Sequence, residues 1–286
     1  MGCLNYENQF NHWFGNIHLS GPCNRSCYFC IGQHMMDLDS FNVLDKHPLL
    51  GLDEFIETCH QHNVVEINLT GTNTDPLLYK HTEKLKNYLL DKIPNLSFGI
   101  RTNGAVAIQQ HKTLKLFNKG SISICSFDPS IYSAMMGSGE PPNLDKLISL
   151  TSSWDKLKIN IILGPENAND DLFNSLEKIS DLNIQRVNIR EPYGQPHVGD
   201  ILCRYGYSPI KHVFGMPVYR FKNTEVTYWD VHYVEVQSIN LYAQGRVSVT
   251  YPITMGHSEN GIVKDQSNFS GGRVKEQWVN FIKRKK

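Results

Sequence analysis

The sequence predicts an α/β fold: a partial (β/α)6 TIM-like barrel with a small antiparallel C-terminal extension. Up to Arg190, the apolar pattern changes repeatedly between the two-residue period of strands and the 3.6-residue period of helices. Beyond Pro192, β-branched and aromatic residues alternate with polar ones, as in exposed strands. Alternating strands and helices predict a parallel sheet with right-handed crossovers, whose catalytic loops lie at the carboxyl ends of the strands.

The predicted barrel begins with a short strand that leads through Gly21 and Pro22 into a cluster of cysteines. Helical segments separate most successive pairs of predicted strands, as crossover connections require. The six predicted strands cover residues 16–19, 64–69, 97–101, 121–126, 157–163 and 186–190. The predicted helices cover residues 52–62, 77–90, 107–117, 144–153 and 171–179.

The C-terminal part is predicted to add strands at residues 225–236, 238–242 and 246–251, with a turn at Ala243-Gln244-Gly245. We find no internal repeat and no low-complexity linker before it. The predicted division is therefore a core barrel over residues 1–192 and a β-rich extension over residues 193–286 that packs on the barrel.

Composition excludes some classes of function. With 286 residues, 40% of them hydrophobic, the chain can bury a full core. Lys plus Arg (28) equals Asp plus Glu (28), which is unlike a protein that wraps duplex nucleic acid, so a nucleic-acid partner is possible but not indicated. The absence of a signal-peptide pattern and of any apolar run of about 18 residues predicts a cytoplasmic protein with no membrane partner.

Three of the seven cysteines lie within eight positions, as Cys23, Cys27 and Cys30. Such crowding in a chain expected in the cytoplasm favours metal ligation over a disulfide framework. Three thiolates can hold three corners of a [4Fe–4S] cluster, whereas electron-transfer clusters are normally closed by four. The open iron would bind a substrate, as the open position of a catalytic zinc does. The other cysteines are interpreted as a terminal thiol, a helix-face residue, a buried strand residue and a loop residue, namely Cys3, Cys59, Cys125 and Cys203.

The segment from Pro22 to Cys30 reads Pro-Cys-Asn-Arg-Ser-Cys-Tyr-Phe-Cys. It resembles the Cys-x3-Cys-x-aromatic-Cys signature of the radical S-adenosylmethionine (SAM) superfamily, including the aromatic Phe29. The resemblance implies a [4Fe–4S] cluster on the three cysteines, with the amino and carboxylate groups of SAM on the open iron. It further implies that an electron donor such as flavodoxin or ferredoxin drives cleavage of SAM to methionine and a 5′-deoxyadenosyl radical. That radical removes hydrogen from the substrate.

The segment from Gly71 to Pro76 resembles the Gly-Gly-Glu-Pro-like turn that follows the second strand in this superfamily. In the family, the backbone of this turn meets the methionyl amino group. Here the turn has two extra residues, and Asp75 stands in place of Glu. The resemblance therefore implies that Gly71, Thr72 and Asp75 contribute to the cofactor site.

Three further segments are similar to the branch of the superfamily that contains the GTP cyclase of molybdopterin synthesis. They are Thr102-Asn103-Gly104, Ser126-Phe127-Asp128 and residues 158–163. By this resemblance Thr102, Ser126 and Asn160 are candidates for contacts to the ribose and carboxylate of SAM. The alternative is that they are ordinary polar residues near strand ends.

The same comparison separates this chain from the molybdopterin enzyme, which adds a second cluster held by three C-terminal cysteines. After Cys125 this sequence has only Cys203. Peptide-modifying enzymes with auxiliary clusters are disfavoured for the same reason. The sequence therefore predicts one SAM-cleaving cluster and no auxiliary one.

The substrate is predicted to be a small organic or nucleotide-like molecule. Arg190 and Glu191 end the sixth predicted strand, where a barrel mouth meets substrate, so Arg190 is a candidate anion clamp. The alternative is an ion pair between surface neighbours. Aromatic residues of the extension, such as Trp229 and Tyr242, offer either a base-stacking platform or the packing face of a small sheet.

Other functions remain open at this point. A structural zinc site would join the three cysteines to Cys3, His18 or His34, and spacing does not exclude it. The chain would then be a non-enzymatic zinc or iron–sulfur binding module. Within the radical SAM superfamily, the alternative is an enzyme that modifies RNA or a peptide.

Overall fold

The computed structural model of this protein describes residues 13–34, 41–192, 198–230 and 236–250. Within these ranges the strands are β1 Phe14–Leu19, β2 Glu66–Gly71, β3 Ser97–Thr102, β4 Lys119–Ser123, β5 Lys156–Ile162, β6 Arg186–Arg190, β7 Lys211–Val213, β8 Met216–Phe221, β9 Thr224–Trp229, β10 Ser238–Leu241 and β11 Val247–Ser248. The helices are α1 Leu52–Gln61, α2 Thr82–Lys92, α3 His111–Leu114, α4 Pro129–Met136, α5 Leu144–Leu150, α6 Asp170–Asp181 and α7 Ile201–Arg204.

The described strands form one sheet in the order β11-β10-β1-β2-β3-β4-β5-β6-β9-β8-β7. Strands β1 to β6 are parallel and lie side by side in chain order. Helical segments connect them, so the predicted α/β fold with a mostly parallel sheet is confirmed. This arrangement places the six carboxyl ends at one edge of the sheet, where the loops that carry chemistry gather.

The C-terminal strands differ in part from the predicted antiparallel extension. The pairs β7–β8, β8–β9 and β10–β11 are antiparallel, and the turn at Ala243-Gln244-Gly245 connects the last pair. However, β9 pairs parallel with β6, and β10 pairs parallel with β1. These strands satisfy the backbone groups that β6 and β1 would otherwise leave open at the edges of the sheet. The domain division at residue 192 stays a prediction, and Tyr193, His197 and residues 251–286 lie outside the described residues.

The helices form where apolar residues recur at helical spacing. In α1, Leu52, Phe55, Ile56 and Cys59 are buried on one face, which is the i, i+3, i+4, i+7 pattern. Three predicted helices differ from expectation: residues 77–90 split into a 3-10 turn at Pro76–Leu78 and α2, 107–117 reduce to α3, and 144–153 reduce to α5. No helix in the described ranges is long and apolar enough to cross a membrane.

Sequence reasoning missed α4, although its start and end signals are present. Asp128 caps the helix by accepting hydrogen bonds from Ser130 N at 2.8 Å and Ile131 N at 3.0 Å. Pro129 occupies the first helical position, and Gly137 ends the helix in the left-handed conformation at φ 83°. This short helix matters because it packs beside the cysteines.

The two faces of the parallel sheet have opposite chemistry. Outward-facing side chains such as Ile67, Leu69 and Ile161 are buried against the helices in one continuous core. Inward-facing side chains at alternate positions, such as Asn68 and Thr70, are polar and line cavities. The interior of this barrel is thus shaped for ligands, unlike the apolar layers that fill a closed TIM barrel.

Candidate active site

The three clustered cysteines lie in residues 20–30, the cysteine loop, which follows β1 at the carboxyl edge of the sheet. Cys23, Cys27 and Cys30 all line one cavity of about 460 Å3. The cavity is also lined by residues from the ends of β2 to β6. Its volume is in the range of small-molecule and cofactor sites, about 300–1,000 Å3.

The thiols of the cysteine loop influence one another. Cys23 is exposed, whereas Cys27 and Cys30 are half-buried. Burial, followed by the charges of Cys30 and Cys23, raises the pKa of Cys27 to about 12. Burial also raises the pKa of Cys23, to which the charges of Asp75 and Cys30 add. Three thiols close enough to disfavour each other's ionised form suit a cationic metal group, which binds thiolates.

Helix α4 supports the cysteine loop from one side. Ser26 N donates to Met136 O at 3.1 Å, and Met136 Sδ lies 3.6 Å from Cys27 Sγ. Gly137 follows directly, and a Cβ at Gly137 would lie 2.0 Å from Ser26 Oγ and 2.6 Å from Ser26 O. Only glycine therefore fits at position 137, where the end of α4 meets the cysteine loop.

We expect Gly137→Ala to cause a several-fold loss of bound iron after reconstitution, because the new methyl group pushes the cysteine loop off α4. The matched control is Gly206→Ala, where φ is 85° but no heavy atom lies within 4 Å of the added Cβ. Both variants carry the strain of a left-handed alanine, about 1–2 kcal/mol. Iron content per chain is the measurement, and equal iron in the two variants would contradict the role assigned to this contact.

The turn after β2 supports the cysteine loop from the other side. Thr74 Oγ1 donates to Pro22 O at 2.6 Å, and Thr72 Oγ1 donates to Leu19 O at 3.1 Å. Cys30 Sγ lies 3.5 Å from Thr72 O. Gly71 makes the turn possible, since a Cβ there would lie 1.8 Å from Thr74 O. The predicted cofactor residues Gly71 and Thr72 thus lie directly against the cysteine loop.

Asp75 holds this turn to the end of β3. Its side chain is 2% exposed and accepts from Leu77 N at 2.9 Å, Asn103 N at 2.7 Å and Thr102 Oγ1 at 2.8 Å. Burial raises the pKa of this carboxyl, and the hydrogen bonds from Asn103 and Leu77 oppose that shift. The carboxylate oxygens are occupied within the protein, so Asp75 acts as a positioning residue for the turn.

Of the three residues suggested by the molybdopterin branch, two line the cavity. Thr102 lines it, although its hydroxyl donates to Asp75 and accepts from Gly104 N at 3.0 Å. Asn160 also lines it, is 4% exposed, and its Oδ1 has no hydrogen-bond partner among the described residues. A buried amide oxygen with no partner requires a ligand or water.

Ser126 does not line the cavity. Its hydroxyl donates to Asp171 Oδ1 at 2.9 Å and accepts from Asp128 N at 2.9 Å. Strand β4 ends at Ser123, and Ser123 lines the cavity in its place. Because strand side chains alternate, Ser121 and Ser123 share the inward face, whereas Ser126 is out of phase with them.

Arg190 and Glu191 both line the cavity. The Arg190 guanidinium lies 5.5 Å from the ring centroid of Trp229. Glu191 is buried and accepts from Val198 N, Gly199 N at 2.9 Å and Tyr228 Oη at 2.5 Å. Glu191 therefore organises the chain after β6, while Arg190 faces the barrel interior.

Aromatic residues of the cysteine loop pack on α4. Phe29 lines the cavity and joins a cluster with Cys125, Tyr132 and Met136. Tyr28 meets Phe29 edge-on at 5.3 Å and donates from Oη to Glu166 Oε2 at 2.9 Å. The aromatic residue before the last cysteine thus fixes the loop against the protein core.

The zinc alternative named three candidates for a fourth ligand. His18 lines the cavity, but its Nε2 lies 3.2 Å from Asn240 Oδ1, and its ring stacks on Tyr242 at 5.0 Å. Burial lowers the pKa of His18 to about 4, so the imidazole is neutral. Cys3 and the side chain of His34 lie outside the described residues. As they lie in this structure, Cys23, Cys27 and Cys30 do not form a ready metal-binding group, and no other set of three or more His, Cys, Asp or Glu within the described residues does so.

No protein-family model and no curated protein sequence matches this chain. Among solved structures, it is similar to SuiB from Streptococcus suis, at 13% identity and a TM-score of 0.54. Structures of SuiB bound to S-adenosylmethionine and to the precursor peptide SuiA match at 12% and 11% identity, both at a TM-score of 0.53.

These matches cover 83–86% of this chain and 59–61% of SuiB. The chain thus spans about three fifths of the length of the proteins it resembles. At this level of identity, the comparison shows a shared fold.

Proposed function

We propose, from the premise that the chain has the fold of the radical SAM superfamily, that it is an enzyme of this superfamily. One [4Fe–4S] cluster would be held by Cys23, Cys27 and Cys30, and one SAM would bind in the adjoining cavity. One observation carries the proposal: the three thiols of a single loop line the same cavity as the turn after β2 and the end of β3. That position, at the carboxyl ends of parallel strands, is where this type of fold gathers catalytic groups.

The cluster, when bound, supplies the electron that cleaves SAM to methionine and a 5′-deoxyadenosyl radical. The residues of this chain would hold and aim the cofactor. The backbone at Gly71 and Thr72 lies beside Cys30 and is the proposed contact for the methionyl amino group. Asn160 offers an unpartnered amide oxygen to the same ligand, and Thr102 and Asp75 keep the turn in place. Such fixed positioning is the contribution of the protein to radical chemistry.

The proposed substrate is a small organic or nucleotide-like molecule that enters the polar interior of the barrel. A single-electron donor of the flavodoxin or ferredoxin type would reach the cluster from the exposed side of the cysteine loop, where Cys23 is exposed. Phe29 and Met136 line the cavity and add apolar surface around the thiols, which limits the access of water.

The decisive experiment is anaerobic reconstitution of the full chain with iron and sulfide, followed by reduction in the presence of SAM. We expect about four irons per chain, as one [4Fe–4S] cluster requires, and formation of 5′-deoxyadenosine. Chromatography of the products and iron analysis provide the measurement. A colourless protein that retains zinc and forms no 5′-deoxyadenosine would overturn the proposal in favour of a zinc module.

A second candidate, modification of a peptide, is favoured by one comparison. SuiB was crystallised with the precursor peptide SuiA, and 84% of this chain matches that complex. This chain spans only 59% of that SuiB chain, so the likeness leaves much of SuiB without a counterpart. Incubation of the reconstituted chain with a precursor peptide encoded beside it, followed by mass spectrometry, would test this candidate. No mass change in the peptide would reject it.

A further inference from the structure

A second cavity, the lower chamber, lies inside the barrel between the starts and the middles of the strands. It has a volume of about 340 Å3 and shares Arg101, Asn160 and Arg190 with the cavity at the cysteine loop. The two spaces therefore border each other through these side chains. The lower chamber is lined from Glu66 and Lys119 at strand starts up to Asn160 in β5.

The lining of the lower chamber is strongly basic. Six cationic side chains line it against a single acidic one, Glu66, in a chain whose net formal charge is zero. The cations are Arg101, Lys119, Lys156, Lys158, Arg186 and Arg190. Lys119 forms an ion pair with Glu66, so the single acidic side chain of the lining already has a counter-ion. The excess of positive charge is thus local and is not balanced within the chamber wall.

Lys158 is central to this group of cations. Its side chain makes no hydrogen bond or ion pair within the described part of the chain, and it points into the chamber. Burial, followed by the charges of Arg101, Arg190 and Arg186, lowers the pKa of Lys158 to about 7. An ammonium group that is partly withdrawn from water and surrounded by other cations is costly, and an anionic ligand would reduce that cost.

The strand register brings Arg101 to the same level as Lys158. Arg101 pairs with Ser121 across β3 and β4, and Ser121 pairs with Lys158 across β4 and β5. Arg101 makes a cation–π contact with Phe14 at 5.7 Å. Trp229 also lines the chamber, and its Nε1 is a buried donor with no partner among the described residues. Donors and cations thus line one cavity, which is the arrangement that oxyanions require.

We propose that the lower chamber binds an oxyanion group, a phosphate or carboxylate, of a small substrate through Lys158 and Arg101. This inference rests on the proposed function, because it names the substrate class of that enzyme. An anion held by Lys158 and Arg101 would leave the rest of the molecule to extend past Asn160 towards the cysteine loop. A cavity of about 340 Å3 is too small for duplex nucleic acid, so the ligand is a small molecule.

The test is calorimetric titration of inorganic phosphate, and separately of succinate, into the full chain reconstituted anaerobically and saturated with SAM. We expect saturable binding of at least one of the two anions. Phosphate alone would indicate a phosphorylated substrate, and succinate alone a carboxylate. Binding should weaken by about tenfold or more in Lys158→Met and Lys158→Gln, which lose a charge-assisted contact.

The matched control is Lys146→Met, which removes an exposed lysine outside the chamber lining and should bind as the wild type does. Thermal unfolding should show that Lys158→Met is at least as stable as the wild type, because it removes one charge from a crowded group of cations. Absence of binding by both anions would overturn the inference. Equal weakening in the Lys146 and Lys158 variants, or competition between SAM and the anion, would also overturn it.

The experiments distinguish failure of the proposed radical SAM activity from failure of the proposed anion site in the lower chamber. The same titrations are repeated on the chain as purified, without reconstitution. Anion binding that depends on Lys158, together with a lack of 5′-deoxyadenosine, would reject the radical SAM activity and retain the chamber. SAM cleavage without anion binding would reject the chamber alone.

Discussion

Replacing Cys27 with alanine is expected to abolish cluster binding and SAM cleavage together. Cys27 is half-buried between Cys30 and Met136, and a cluster with only two remaining thiolates loses a corner ligand. We expect iron content near the background of an unreconstituted sample and no detectable 5′-deoxyadenosine. Iron analysis, visible absorption and product chromatography measure the three quantities on the same preparation.

Two other cysteines provide controls for this substitution. Cys59 is fully buried in α1, distant in the chain from the cysteine loop, and Cys59→Ala should leave cluster and cleavage intact. Cys125 is a closer control, because its Sγ lies 3.5 Å from the same Met136 Sδ that touches Cys27. Equal loss in the Cys27 and Cys59 variants would refute the division of the cysteines into ligands and core residues. Complete loss in Cys125→Ala would mean that a fourth thiol closes the cluster.

Replacing Asp75 with alanine is expected to destabilise the protein by roughly 3–5 kcal/mol. The change leaves the N–H groups of Leu77 and Asn103 and the hydroxyl of Thr102 without their buried acceptor. It also releases the turn after β2, against which Cys30 packs. Chemical denaturation gives the free energy of unfolding, and reconstitution of the folded fraction should show reduced iron.

Asp128 is a matched control, since both aspartates accept from backbone N–H groups at the start of a helical turn that begins with proline. Asp128 is exposed on the surface, so Asp128→Ala should lose much less stability than Asp75→Ala. The free energy of unfolding of Asp75→Asn should lie between those of Asp75→Ala and the wild type, because asparagine keeps one acceptor oxygen. A loss in Asp75→Ala no larger than that in Asp128→Ala would mean that the turn is held by other contacts.

The sequence predicted the parallel part of the fold well because each element there has a local signal. The apolar residues of α1 recur at helical spacing, and the strands alternate apolar and polar residues. The pairing of β10 with β1 carries no such signal, because it joins segments far apart in the chain, and no residue pattern within β9 indicates that it pairs parallel with β6. The edge that a strand joins depends on the completed sheet. Short-range sequence patterns do not encode that choice.

The predicted site residues whose spacing is most tightly constrained by their chemistry are among those that the structure brings into one cavity. The spacing of Cys23, Cys27 and Cys30 is typical of a set of metal ligands, and the structure places all three in one cavity. Ser126 does not line the cavity, because the register of the chain past β4 decides which side chain faces inward. Lys158 was passed over because a lysine in a strand is usually solvated, and only the assembled sheet shows that this one lines a cavity together with Arg101 and Arg186.

The pairing of β10 with β1 has a consequence for biosynthesis. Asn16 Nδ2 donates to Asn240 Oδ1 at 2.8 Å across a separation of 224 residues. A ribosome that adds about 5–20 residues per second makes these two partners roughly 10–45 s apart. During that interval β1, the strand that leads into the cysteine loop, remains an open edge exposed to wrong pairing. Truncation before residue 238 should therefore yield nascent chains that depend on chaperones, even though every cysteine of the loop has already been translated.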